Sequence, residues 1–122
     1  MAVLPGIAMS ASREGPSGWS CELQVEADSP CFAGHFPDRP ILPGIVHVGL
    51  VVGALAELSG SGHRLARIDT LRLKQVVGPA DRLSLEISRP DDAGLVTFVL
   101  RREEQVVSLG RMVVESQGER DR

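Results

Sequence analysis

The chain of 122 residues has no tyrosine, one tryptophan and three phenylalanines. Nucleic-acid binding by stacking needs aromatic platforms, and binding to a phosphate backbone needs a basic stripe. This sequence offers neither, since its lysines and arginines are scattered and its net charge is −3. Two cysteines, Cys21 and Cys31, are too few for a disulfide framework and have no metal-ligand spacing. They read as reduced, mostly buried thiols of a cytoplasmic protein, and no metal is expected. No apolar run reaches the roughly 18 residues that a membrane-spanning helix requires. Met1 to Pro16 lacks the charged n-region of a secretory leader.

What is present fits one globular domain, with 43% hydrophobic and 24% charged residues. Residues 1–18 have loop composition and are expected as a partly ordered lead-in, 19–116 as the domain and 117–122 as a tail. Trp19 to Val25 reads as a first strand. Asp28-Ser29-Pro30 interrupts it. Ile45 to Leu58 is apolar, rich in alanine and leucine, and stopped by Ser59-Gly60-Ser61-Gly62, which predicts a helix. Its apolar character on nearly every face predicts burial on all sides. Period-two alternation follows over Ile68 to Val77 and Leu83 to Ser88. Pro90 to Gly94 is a turn, and Leu95 to Leu100 with Val106 to Val114 forms a hairpin-like pair. The class is α+β, with a curved antiparallel sheet around one central helix. An exposed edge on such a sheet invites dimerisation.

Most of the chemistry is concentrated in Gly34-His35-Phe36-Pro37-Asp38-Arg39-Pro40-Ile41-Leu42-Pro43-Gly44. Three prolines fix the backbone around one histidine, and Pro43-Gly44 opens the helix. Proline suits a first helical turn, and glycine lets backbone approach a ligand closely. The free N–H groups of a helix start attract an oxyanion. The segment therefore reads as a histidine held beside an oxyanion-binding helix end.

Phe32-x-Gly34-His35-Phe36-Pro37-x-x-Pro40-Ile41-Leu42-Pro43-Gly44 resembles the signature of the hot-dog-fold 3-hydroxyacyl-[acyl-carrier-protein] dehydratases, closest to their relatives in aryl-polyene-type biosynthesis. Leu71-x-Leu73-Lys74-x-Val76-Val77-x-Pro79-Ala80-Asp81-x-Leu83 resembles that family's strand, Pro-Gly-Asp turn and strand, with Ala80 where glycine is usual. Ser108-Leu109-Gly110-Arg111 resembles the small-residue pattern of the last strand in the aryl-polyene relatives. The likeness covers roughly residues 19–114 and implies a hot-dog fold and no cofactor.

Removing water from a 3-hydroxyacyl thioester needs a base for the α-proton, a donor for the departing hydroxyl and stabilisation of the enolate oxygen. The resemblance makes His35 the base. It makes the Gly44 N–H the thioester binder and places Phe36, Pro43 and Gly49 against the substrate. The family's acid stands on the central helix fourteen residues after the histidine; here that position is Gly49, which has no side chain. His47 lies about 200° around the helix from Gly49 and is expected to point away from the site. It reads instead as a histidine bonded to a carbonyl or touching a dimer neighbour. Glu57 shares the Gly49 face but sits about 12 Å further along the axis. His63 reads as a solvated loop residue, Asp38 and Arg39 as a loop tip, and Asp81 as turn chemistry. Gly49 and Gly53 read as helix packing positions or as widening for an acyl tunnel.

These readings imply a substrate bound to acyl carrier protein or CoA, and a homodimer or a heterodimer with another hot-dog chain. In this family each site takes its histidine from one protomer and its acid from the other. The first expectation is therefore a dehydratase subunit, with His35 from this chain and the acid from a partner. A non-catalytic chain that stabilises an active homologue is the second. A homodimer working with His35 alone is the third. A thioesterase would need a carboxylate placed differently.

Overall fold

The computed structural model describes residues 2–4, 6–26, 44–78 and 80–116. Three strands precede the helix: β1 (Ala2–Leu4), β2 (Ile7–Glu14) and β3 (Gly18–Val25). The helix α1 spans Gly44–Ser59, and β4 (His63–Leu73), β5 (Arg82–Ser88), β6 (Leu95–Arg102) and β7 (Gln105–Ser116) follow it. They form one seven-stranded sheet in the order β1-β2-β3-β5-β6-β7-β4, with every pairing antiparallel.

Helix α1 touches both outer strands, β1 and β4, as well as β2 and β5. Seven strands laid flat at about 4.8 Å spacing place their outer members about 29 Å apart. A helix is only about 10–12 Å wide. Contact with both margins thus requires the sheet to curl around the helix, which is the hot-dog arrangement. The core fills the space between them. Leu50, Val51, Ala54 and Leu55 from α1 are fully enclosed with Leu23, Val25, Leu85, Val96, Leu100 and Val107 from the sheet.

Burial does not extend around the whole helix. His47, Val48, Leu50, Val51, Ala54 and Leu55 form the buried stripe. Gly49, Val52, Gly53 and Ala56 on the far side are half-buried, and Ile45 is 66% exposed. The sheet covers one side of the helix; the other is mostly apolar and only partly covered.

The segment expected as a lead-in contains two strands. β2 pairs along β3 from Ile7↔Val25 to Glu14↔Trp19. Only Ile7 and Met9 on it are buried, so its apolar signal is too short to stand out among polar neighbours. Arg89 fastens this end by pairing with Glu14 at 2.6 Å and lying 4.6 Å from the Trp19 ring centre.

β4 also departs from simple alternation. It starts at His63 rather than Ile68, and its register against β7 slips between Leu65 and Arg67 and again between Ile68 and Thr70. Each slip is a bulge that adds one residue. Leu65, Ile68 and Leu71 therefore stand three apart and still share a face, opposite Val114, Met112 and Gly110.

Candidate functional site

Gly44 is the first residue of α1, and no acidic side chain occupies that first turn. Its N–H groups have no intrahelical acceptors, and the positive end of the helix favours an anion. A Cβ on Gly44 would stand 2.7 Å from Leu73 Cδ1 at the end of β4. The missing side chain lets the helix start settle against that strand.

His47 lies three residues further on and is buried, with 2% of its surface exposed. Its Nδ1 shares a 3.0 Å hydrogen bond with the hydroxyl of Ser108 on β7, which is also fully buried. The expectation named a carbonyl or a dimer neighbour; the bond seen here is to a hydroxyl. β7 turns Ser108, Gly110 and Met112 toward the helix, and the first turn of α1 rests over Ser108. His47 thereby makes a buried contact inside its own chain. Two polar groups that would each be costly to bury alone satisfy one another.

Gly49 is half-buried on the side of α1 away from this contact, and Glu57 is exposed two turns beyond it. No ionisable side chain of α1 thus takes the part of the acid that the resemblance expects at Gly49. His63 is not a loop residue: it opens β4, and its Nδ1–H donates to the Ser61 carbonyl at 2.9 Å. His35, Phe36 and Pro43, with Cys31, Asp38 and Arg39, lie outside the described residues. Among the described residues no three His, Cys, Asp or Glu side chains gather as a metal site. No described helix is long and apolar enough to cross a membrane.

Asp81 does more than shape a turn. Its Oδ2 accepts the Gly78 N–H and the Arg102 guanidinium, each at 2.8 Å. Arg102 also donates to the Val76 carbonyl at 2.9 Å and to Gln75 Oε1 at 2.8 Å. The connection after β4 is therefore fastened to β6. Arg102 escaped the sequence reading because its partners lie 21 to 27 residues away. Beside this cluster Ala80 has φ 67°, a left-handed backbone that costs a residue with a Cβ roughly 1 kcal/mol. Ala80→Gly is expected to stabilise the protein by about 0.5–1 kcal/mol, read as a higher urea midpoint with unchanged slope.

Cys21 is buried on the helix side of β3, and its thiol is pushed up to about 11, first by burial and then by the nearby Glu22 charge. Its place is in the core. An open groove of about 600 Å³ between residues 13–20 and strands β5 and β6 shares no lining residue with the helix start.

The model of the ApeI-like family, described as ApeI dehydratase, matches residues 10–111. The 3-hydroxyacyl-[acyl-carrier-protein] dehydratase FabZ of Caldanaerobacter subterraneus is 42% identical over 71 residues, covering 52% of this chain and 50% of that protein. The FabZ of Histophilus somni is 35% identical over 71 residues, covering 52% and 47%. The chain thus spans about half the length of these relatives. Among solved structures, the dehydratase heterocomplex ApeI:P from Xenorhabdus doucetiae superposes with a TM-score of 0.74 at 21% identity, covering 88% of this chain and 96% of that one. An uncharacterized protein from Erwinia carotovora gives 0.74 at 23% identity, covering 95% and 99%. These structures share the fold, and the match over 10–111 makes the chain a member of the ApeI-like dehydratase family.

Proposed function

We propose that this chain is a subunit of a dehydratase that converts 3-hydroxyacyl thioesters to 2-enoyl thioesters in fatty-acid, polyene or polyketide-type biosynthesis. Family membership over residues 10–111 carries this reading. His35 removes the α-proton, and the Gly44 N–H holds the thioester oxygen as the enolate forms. The electron pair then closes the carbon–carbon double bond as the β-hydroxyl leaves with a proton from an acid, so one water is released. Phe36, Pro43 and Gly49 border the acyl chain. The reaction needs no cofactor or metal, and the proposed setting is the cytoplasm.

The acid comes from a second hot-dog chain, because the family position on α1 is Gly49. A relative of the same fold is described as a dehydratase heterocomplex, which supports a heteromer here. The test mixes this chain, alone and with hot-dog homologues that carry Glu or Asp at the helix position, with a 3-hydroxyacyl carrier protein. Mass spectrometry follows loss of water. Turnover is expected only in a mixture, since general-acid help contributes about 10²–10⁴-fold. Equal turnover by this chain alone would favour a homodimer using His35 without the acid.

Gly49 also supports a second reading, a non-catalytic partner that stabilises an active homologue. In that case the mixture retains full turnover when His35 is removed.

A further inference from the structure

Among the described residues, His47 and Ser108 are the only polar side chains that are buried, and they bond each other. Such a bond adds little net stability, because bonds to water are given up for it. An apolar pair of the same shape can hold a fold equally well. What an apolar contact lacks is direction. A hydrogen bond weakens steeply as its angle falls, so it fixes an orientation as well as a distance.

That direction is applied at the helix start. His47 stands in the first turn of α1, three residues after Gly44, so the two share a face. Side chains on a helix lean toward its N-terminus, which lays the imidazole over the turn that carries the Gly44 N–H. Their two supports are opposite one another in the sheet: Gly44 settles on Leu73, and Leu73 pairs with Ser108. The supports differ in stiffness. Leu73 meets Gly44 with the far end of a side chain that is 52% exposed and free to swing aside. Ser108 has a short side chain on β7, which is paired to Leu73 of β4 on one side and to Leu100 of β6 on the other. The stiff support is therefore the one that His47 engages.

We propose that His47 is a positioning residue: its bond to Ser108 fixes the depth and rotation of the first turn of α1 against β7, and so keeps the Gly44 N–H aimed at the thioester oxygen. The inference rests on the dehydratase reading above in taking that N–H as the thioester binder. Stabilising a developing oxyanion depends on such placement, and a displacement of about 1 Å can cost about 10²-fold in rate.

The experiment uses the full chain in the dehydratase mixture described above. His47→Leu combined with Ser108→Ala replaces the pair by apolar groups. His47→Asn keeps a polar atom near the place of Nδ1. The apolar pair is expected to melt close to wild type, yet kcat should fall about 10–100-fold while KM changes about threefold or less. His47→Asn should recover turnover to within about threefold of wild type. Asparagine cannot move a proton, so this recovery separates positioning from acid–base work. Full turnover by the apolar pair overturns the proposal, since packing would then be all that the site requires. So does a His47→Asn variant as slow as the apolar pair. Should the apolar pair fail to fold, Ser108→Ala alone is read in its place.

A second readout needs no activity. The amides of Val48 to Val51 are the first to bond within α1. Their hydrogen exchange in Ser108→Ala, followed by NMR, is expected to be about tenfold faster than in wild type, with Ala54 and Leu55 unchanged. Unchanged exchange at the helix start overturns the proposal. If wild type turns over in no mixture, the dehydratase reading falls, and exchange alone then decides whether the bond holds the helix start.

Discussion

His35→Ala is expected to lower turnover of the proposed heteromeric complex by about 10²–10⁴-fold, the usual worth of general acid–base help. The loss belongs in kcat. In the proposed site the thioester oxygen is held by backbone N–H at the start of α1, which the substitution leaves in place. Substrate affinity should therefore change little, and the complex should assemble as before. Stopped-flow or mass-based turnover at saturating substrate, with sedimentation of the same sample, checks both statements. Full turnover with intact assembly would remove His35 from the chemistry and leave the chain as a stabilising partner. Loss of turnover together with loss of assembly would instead indicate a structural role for His35. His35→Asn and His35→Gln, which keep polarity without a useful base, should fail as badly as alanine.

Gly110→Ala is expected to destabilise the fold by about 2–3 kcal/mol, in the range found for overpacked cores. Gly110 sits on β7 between Phe98 on β6 and Leu71 on β4. A Cβ there would strike the Thr70 carbonyl oxygen and stand 3.0 Å from Phe98 Cε2 and 3.2 Å from Cζ. Neither neighbour yields cheaply: one is backbone next to a β4 bulge, and the other belongs to a ring that is 3% exposed. Relief requires β4 to move outward. Gly15→Ala provides a control, since a Cβ at Gly15 meets nothing within 4 Å. That change is expected to stay within about 0.5 kcal/mol of wild type. Urea unfolding at fixed protein concentration measures both, because association would otherwise shift the midpoint.

Residues close together in sequence made much of the fold legible. The apolar run after Pro43 and its Ser-Gly stop bounded a helix that the structure places at Gly44–Ser59. Alternation located β5, because a strand with one dry face must alternate, and the hairpin-like pair located β6 and β7, each to within a few residues. The dehydratase signature identified the fold and family before any coordinate. The absence of an acid at Gly49 was equally visible, since a missing side chain needs no structure to detect.

β2 and the start of β4 were hidden for separate reasons. β2 buries two side chains of eight, which leaves almost no periodic signal. β4 carries two bulges, and spacing by three mimics a helix more than a strand.

Tertiary structure alone decided the partners of the polar side chains. Helix geometry could turn His47 away from Gly49, but it could not name Ser108, which lies 61 residues downstream. The same holds for Arg102 and Asp81, 21 residues apart. Periodicity and turn chemistry act over a few residues, so a single segment records them. Pairing across a curled sheet depends on which strands become neighbours, and that depends on how the whole chain closes around its helix.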